Sequence, residues 1–195
     1  MTARDEILAN IRARRLTQAP HPAPYSAPKT SGDLVEAFAK RLSAAHAEVR
    51  MIDGMNDIPA AIADVLRARN MAPQVHMPPD APPLDLPGVQ ILGDPPGPFD
   101  AAVTRAPLAI AETGTLAYAS GAGAPASWHF RPLLEIAILH ASDVVGEFED
   151  VLAKLGTLPS TLNLVSGPSR TGDIEQTMEL GAHGPKGLVV LVVKA

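Results

Sequence analysis

The sequence predicts an α/β sandwich in which a largely parallel sheet carries helices on both faces. Short apolar runs rich in β-branched residues, such as Leu188–Val193, read as strands buried on both sides. These runs alternate with segments whose apolar residues recur at helical spacing, and Gly, Pro, Asn and Asp cluster between the two kinds. Strand and helix in alternation bury both apolar faces only when helices pack over a parallel sheet. With 195 residues, 46% of them hydrophobic, the chain has enough apolar surface for one sizeable core and a small appended segment.

The elements follow in order. Thr2 and Asp5 form a capping box ahead of Ile7, Leu8 and Ile11, which share one face of a short helix. Prolines 20, 22, 24 and 28 remove backbone donors and favour extended chain, so residues 19–29 read as a linker. The expected division is therefore an N-terminal helix and linker over 1–29 and a single domain over 30–195. Thr30 or Ser31 is the expected cap of a second helix carrying Leu34, Val35, Phe38 and Leu42. Glu48–Ile52 reads as a strand, and Asp57 with Pro59 starts a third helix that buries Ile62, Val65 and Leu66 and ends at Asn70.

Proline breaks the stretch from Pro78 to Pro98, where only Val89–Leu92 reads as a strand. Ala101–Ala119 reads as strand, turn and strand, with Glu112-Thr113-Gly114 as the turn. Glu135–Leu139 is a core strand. Ser142 or Asp143 is expected to cap a helix bearing Val144, Val145, Phe148, Val151 and Leu152, closed by Gly156. Leu162–Val165 and Leu188–Val193 are read as the last two buried strands, and no repeat of solenoid period is present.

Composition excludes several function classes. A net charge of −5 without a basic stripe argues against nucleic-acid binding. No apolar run approaches the roughly 20 residues needed to span a bilayer. The first residues lack the apolar core of a secretory signal, so the cytoplasm is the expected location. With no cysteine, the chain itself offers no thiolate for an iron–sulfur cluster or a Cys-based zinc site. Nor do His21, His46, His76, His129 and His140 show metal-ligand spacing, so no metal site is expected.

Four segments carry a family resemblance: Leu108-Ala109-Ile110-Ala111-Glu112-Thr113-Gly114-Thr115-Leu116, Ser166-Gly167-Pro168-Ser169, Asp173-Ile174-Glu175 and Gly181-Ala182-His183-Gly184-Pro185. Over residues 30 to 195 the chain resembles the LUD-domain family, in its lactate utilization protein C branch. The resemblance implies a three-layer α/β/α sandwich of the NagB/RpiA/CoA transferase-like kind. It further implies a non-redox role in growth on L-lactate, beside partner proteins that hold the iron–sulfur clusters. Two places depart from the expected pattern. Leu134-Glu135-Ile136 stands where a Leu-Pro pair and then an aromatic or His side chain are expected, and the loop Gly121–Arg131, with the only tryptophan at Trp128, is peculiar to this chain.

The candidate site residues lie on three bends. Glu112 is flanked by Thr113, Gly114 and Thr115. The resemblance to CoA transferases suggests a general base or nucleophile, while the plain alternative is a carboxylate that fixes the turn by bonding to its amides. After the strand Leu162–Val165, Gly167, Ser169 and Arg170 offer amides, a hydroxyl and a guanidinium to a carboxylate, phosphate or nucleotide. Asp173 and Glu175, two apart, point to one side of an extended chain, with Asp173 as the second candidate catalytic carboxylate. The competing view is that Pro168 and Gly172 shape a turn and Asp173 caps the next element. His183, Gly184 and Lys186 form the third bend, where the imidazole and ammonium would face a bound anion, or the imidazole would simply bond to a carbonyl. Glu112, Ser169 and His183 are expected to line a single pocket.

Gly121-Ala122-Gly123-Ala124-Pro125-Ala126, followed by Asp143, also fits a dinucleotide fingerprint, but small-residue loops match that pattern often. The leading expectation is a lactate-utilization component with an anion site. The alternative is a stand-alone enzyme of CoA-transferase or sugar-phosphate-isomerase type that uses Glu112.

Overall fold

Two apolar strands lie side by side at the centre of the molecule, β7 (Leu134–His140) and β12 (Gly187–Val193), paired in parallel from Leu134 opposite Gly187 to His140 opposite Val193. Both are buried along nearly their whole length, as a parallel strand covered on both faces must be. The computed structural model describes residues 2–14, 23, 28–157, 159–172, 178–180 and 184–194. The central pair belongs to a six-stranded parallel sheet that also contains β1 (Glu48–Ile52), β2 (Gln74–His76), β3 (Gln90–Leu92) and β4 (Ala101–Arg105), in the order β1-β12-β7-β4-β2-β3. β1 is an outer strand, and its Glu48 carboxylate accepts from Arg50 Nε at 2.6 Å and from Arg69 Nη2 at 2.7 Å.

Helices cover both faces. The helix α3 (Ile58–Ala68) buries Ile58, Ile62, Val65 and Leu66 against Ile136, Ile138, Val189 and Leu191 on one side. On the other side α2 (Leu34–Ala44) buries Phe38 and Leu42 against Ala137, Leu139, Val190 and Val192. The predicted parallel α/β sandwich is thus the observed architecture, with one addition. A second sheet, β8-β5-β6-β9, lies beside α2 and sends Ala109, Leu116 and Tyr118 into the same core. It comprises β5 (Leu108–Ile110), β6 (Thr115–Ala119), β8 (Val144–Val145) and β9 (Leu162–Val165), and α5 (Phe148–Leu155) buries Val151 against it.

At the N-terminus Thr2 and Asp5 exchange the capping bonds of α1 (Ala3–Arg14): the Thr2 amide donates to Asp5 Oδ2 at 2.9 Å, and the Asp5 amide donates to Thr2 Oγ1 at 3.4 Å. Its Ile7 and Ile11 are each 59% exposed.

Four local expectations are corrected. The cap of α2 is Asp33, which accepts from the amides of Val35 and Glu36, while residues 30–32 precede the helix and the Thr30 amide is donated to the Glu147 carboxylate. Val144 and Val145 form β8, not a helical turn: this β-branched pair adds in parallel to Ala109 and Ile110. The helix α5 begins only after Glu147, whose side chain and that of Asp150 make a capping box. Leu162–Val165 is not a buried strand of the main sheet. It pairs antiparallel with β6, and Leu164 is 48% exposed. The expected elements offer no counterpart for β2 or for the single turn α4 (Ser127–Phe130) inside the loop Gly121–Arg131. Nor was the two-stranded antiparallel ribbon expected that β10 (Arg170–Gly172) makes with β11 (Met178–Leu180).

Candidate functional site

The acidic turn is set by the hairpin between β5 and β6, in which Ile110 stands opposite Thr115 and the Gly114 amide donates to the Ile110 carbonyl at 3.0 Å. Closing it requires φ +66° at Gly114, and a Cβ there would lie 2.6 Å from the Leu42 nitrogen of α2. Glycine therefore serves twice, supplying the left-handed bend and letting the helix backbone come close. The Glu112 amide donates to the Gly146 carbonyl at 2.9 Å, and Arg41 Nη1 donates to the Ala111 carbonyl at 3.0 Å. So fixed, the exposed Glu112 side chain borders a broad cleft of about 790 Å³ whose charged lining includes Lys29, Glu36, Lys40 and Arg41.

From the same turn a chain of hydroxyls runs to the first C-terminal loop. Thr113 Oγ1 and Thr115 Oγ1 are 2.7 Å apart, and Thr115 Oγ1 is 2.7 Å from Ser166 Oγ. Gly167 adopts φ +125° and would set a Cβ 2.7 Å from the Ala45 carbonyl oxygen, so this loop also rests against the end of α2. The Ser169 amide donates to the Pro185 carbonyl at 2.8 Å, which ties the second C-terminal loop to the first. Gly184 lies directly against Ser169. Between these loops, α4 and β7 is a cavity of about 180 Å³ bordered by Ser166, Ser169, Glu135, His129, Phe130 and Leu164.

Glu135 is the residue that sequence reasoning passed over as a site. It is fully buried, on the face of β7 that looks toward the second sheet. Its Oε1 is 2.8 Å from His129 Nδ1 and accepts from Thr104 Oγ1 at 2.8 Å, while Oε2 is buried and has no hydrogen-bond partner among the described residues. His129 is itself buried and stacks on Tyr118 with ring centroids 3.8 Å apart. The Tyr118 hydroxyl is buried beside Thr104 and Glu135, with no partner in bonding geometry among the described residues. Burial, and then the negative charge of Glu135, hold its pKa well above the usual phenol value. A glutamate is almost never fully buried unless paired, so a lone acid between Leu134 and Ile136 in an otherwise apolar strand was the available signal.

The bends expected to make one pocket are arranged differently. Among cavities formed by described residues, Glu112 and Ser169 line separate ones, joined by the Thr113–Thr115–Ser166 hydroxyls. The reason is that α2 ends between the two loops, with Leu42 against Gly114 and Ala45 against Gly167. Arg170 and Lys186 are exposed. Asp173, Glu175 and His183 lie outside the described residues. Among the described residues no group of three or more His, Asp or Glu side chains gathers as metal ligands would, and no helix is long and apolar enough to cross a membrane.

Residues 97–193 match the LUD domain family. The chain is 35% identical over 102 residues to lactate utilization protein C of Halalkalibacterium halodurans, covering 49% of this chain and 44% of that protein. It is 36% identical over 99 residues to an uncharacterized protein of Neisseria meningitidis serogroup B, covering 49% of this chain and 42% of that protein. Each match thus spans less than half the relative's length. The 1.70 Å crystal structure of a DUF162 family protein from Deinococcus radiodurans has the same fold, with a TM-score of 0.60 at 23% identity, covering 82% of this chain and 96% of that one.

Proposed function

The chain belongs to the LUD-domain family through residues 97–193, and from that premise we propose that it is a non-redox component of a system that oxidises L-lactate to pyruvate. The observation that carries this reading is that relatives named lactate utilization protein C match about half of the chain. The family match spans the Glu112 turn, Glu135 and both C-terminal loops. With no cysteine in the chain, the iron–sulfur clusters of such a system belong to its partner proteins. In this reading the chain docks those partners and binds a small anionic ligand at its C-terminal loops. Ser169 and Arg170 donate hydrogen bonds, Lys186 and His183 supply positive charge, and the carboxylates of Asp173 and Glu175 take donors from the ligand or partner.

The test is genetic and biochemical together. Deleting the gene should abolish growth on L-lactate as carbon source, and the purified chain should co-elute with the iron–sulfur proteins of that system. Undiminished growth together with no complex would end the proposal.

A second reading, a stand-alone transferase or isomerase using Glu112, draws support from the exposure of that carboxylate on a wide cleft beside Lys40 and Arg41. It predicts turnover by the isolated chain, lost in Glu112→Gln.

A further inference from the structure

The apolar residues of α1 join none of the buried clusters that the described residues form. Ile7, Leu8 and Ile11, spaced to share one face, are 59%, 36% and 59% exposed. A helix of twelve residues is marginal in water, and such a face stabilises it only when it packs on something. Arg4 lies one turn ahead of this stripe and Arg12 beside it. Charge is divided along the chain in the same sense. Residues 1–29 hold five Lys or Arg against two Asp or Glu, while residues 30–195 hold eleven against nineteen.

A seat of matching chemistry lies at the end of α3. There Leu66, Met71, Pro87 and Val89 line an apolar groove of about 380 Å³, with Ala63 on its wall. The charge that reaches into it, Arg67, is paired with Asp64 at 2.7 Å. The three side chains of the α1 stripe hold twelve carbons, which at ~30 Å³ for each water-sized group fill about 360 Å³. Asp64, next to Ala63, and Asp85, two residues ahead of Pro87, put exposed carboxylates on the segments that form the groove, as Arg4 and Arg12 require. Yet α1 does not fill the groove of its own chain, since Ile7 and Ile11 stand exposed. Its tether reaches further: Lys29 is held by Glu147 and Asp150 at 2.9 and 3.3 Å, and the fourteen residues 15–28 ahead of it can span up to ~50 Å.

We propose that α1 of one copy seats Ile7, Leu8 and Ile11 in the α3 groove of a second copy, each chain giving a helix and receiving one. A reciprocal exchange closes on a two-fold axis, so it stops at two chains. One seat alone is small beside the ~1,200–2,000 Å² of a stable interface. The second insertion is intramolecular once the first is made, which strengthens the pair without adding a new contact. The dimer therefore forms and dissociates with concentration.

Mass is measured on the full chain by sedimentation velocity from about 1 to 200 μM, a range in which an interface of this size associates. The weight-average mass should climb toward that of two chains. Ile7→Glu combined with Ile11→Glu should weaken association at least about tenfold and leave the thermal midpoint of the dilute protein unmoved, because the stripe supports no core of its own chain. Ala63→Arg, which fills the groove and repels Arg4 and Arg12, should weaken it to a similar degree. The chain has no cysteine, so Ile11→Cys and Ala63→Cys can be placed on separate chains, mixed and oxidised; the disulfide-linked pair should form faster from the mixture than from either chain alone.

A monomer at every concentration overturns the proposal, as does a dimer that the Ile7 and Ile11 substitutions leave intact. A dimer indifferent to Ala63→Arg overturns the groove as its seat. If both cysteines in one chain close on each other to give a cyclised monomer, the helix belongs to its own domain and the second copy is ruled out. A monomeric chain that binds the iron–sulfur proteins of the lactate system, and loses them in the Ile7 and Ile11 variant, assigns the stripe to those partners instead.

Discussion

Gly114→Ala tests how the acidic turn is seated. A side chain at φ +66° costs about 1–2 kcal/mol in left-handed strain alone. The new Cβ would also lie 2.6 Å from Leu42 N, 2.7 Å from Arg41 Cβ and 2.9 Å from Arg41 C, atoms fixed in a helix and unable to swing aside. Overpacking of that kind costs about 1–3 kcal/mol, for a total of about 2–5 kcal/mol. In a chain of this length each kcal/mol moves the thermal midpoint by roughly 2–4 °C, so a drop of about 10 °C is expected. The control is Gly88→Ala, at φ +77° with nothing within 4 Å of its Cβ, which incurs strain from a positive φ without the clash. Urea denaturation followed by far-UV circular dichroism gives both values, and their difference isolates the packing of α2 on the turn. Equal destabilisation in the two variants would refute the close approach of Leu42 and Arg41.

Two further perturbations probe the buried charges. His129→Phe keeps the ring stacked on Tyr118 but leaves the fully buried Glu135 with Thr104 as its sole donor, and should cost about 3–5 kcal/mol. Pairing it with Glu135→Leu should recover most of that loss in chemical denaturation; a double variant no more stable than the single would show that the carboxylate did not depend on the imidazole. Glu147, buried where the segment 28–33 meets α5, is held below its ordinary pKa of 4.5, first by the Thr30 amide and then by Lys29. Because its folded-state value is depressed, its stabilisation is complete above 4.5 and fades as pH falls below it. The gap in thermal midpoint between the protein and Glu147→Gln should therefore be constant from about pH 6 to 7 and shrink on acidification. A gap still full at about pH 3 would contradict this assignment.

Periodicity and turn chemistry made most of the main sheet legible. The runs Glu48–Ile52, Glu135–Leu139 and Leu188–Val193 are apolar enough to name themselves, and Phe38 with Leu42 and Ile62 with Val65 and Leu66 betray helices by spacing alone. What escaped was decided by partners distant in sequence. Val144 and Val145 are a strand because Ala109 and Ile110 lie beside them, and the segment ahead of α2 is held by Glu147, more than a hundred residues on, which takes the Thr30 amide. The turn at Glu112 could be read locally, whereas the seating of Gly184 against Ser169 belongs to the folded chain. The pairing of Glu135 with His129 could not, since it needs the fold of the loop Gly121–Arg131, for which no periodic signal exists.

Among the described residues the main sheet ends in β1 on one side and β3 on the other, and a sheet border is where another copy of the chain could pair. Each border carries its own deterrent. Along β1 the Arg50–Glu48–Arg69 charges would have to shed water and lose their mutual contacts before a foreign strand could dock. β3 instead offers three residues, too few to template an added strand even though Ile91 is 44% exposed. The same ion triad that looks like minor surface decoration thus sets a desolvation cost against edge-to-edge pairing of copies along β1.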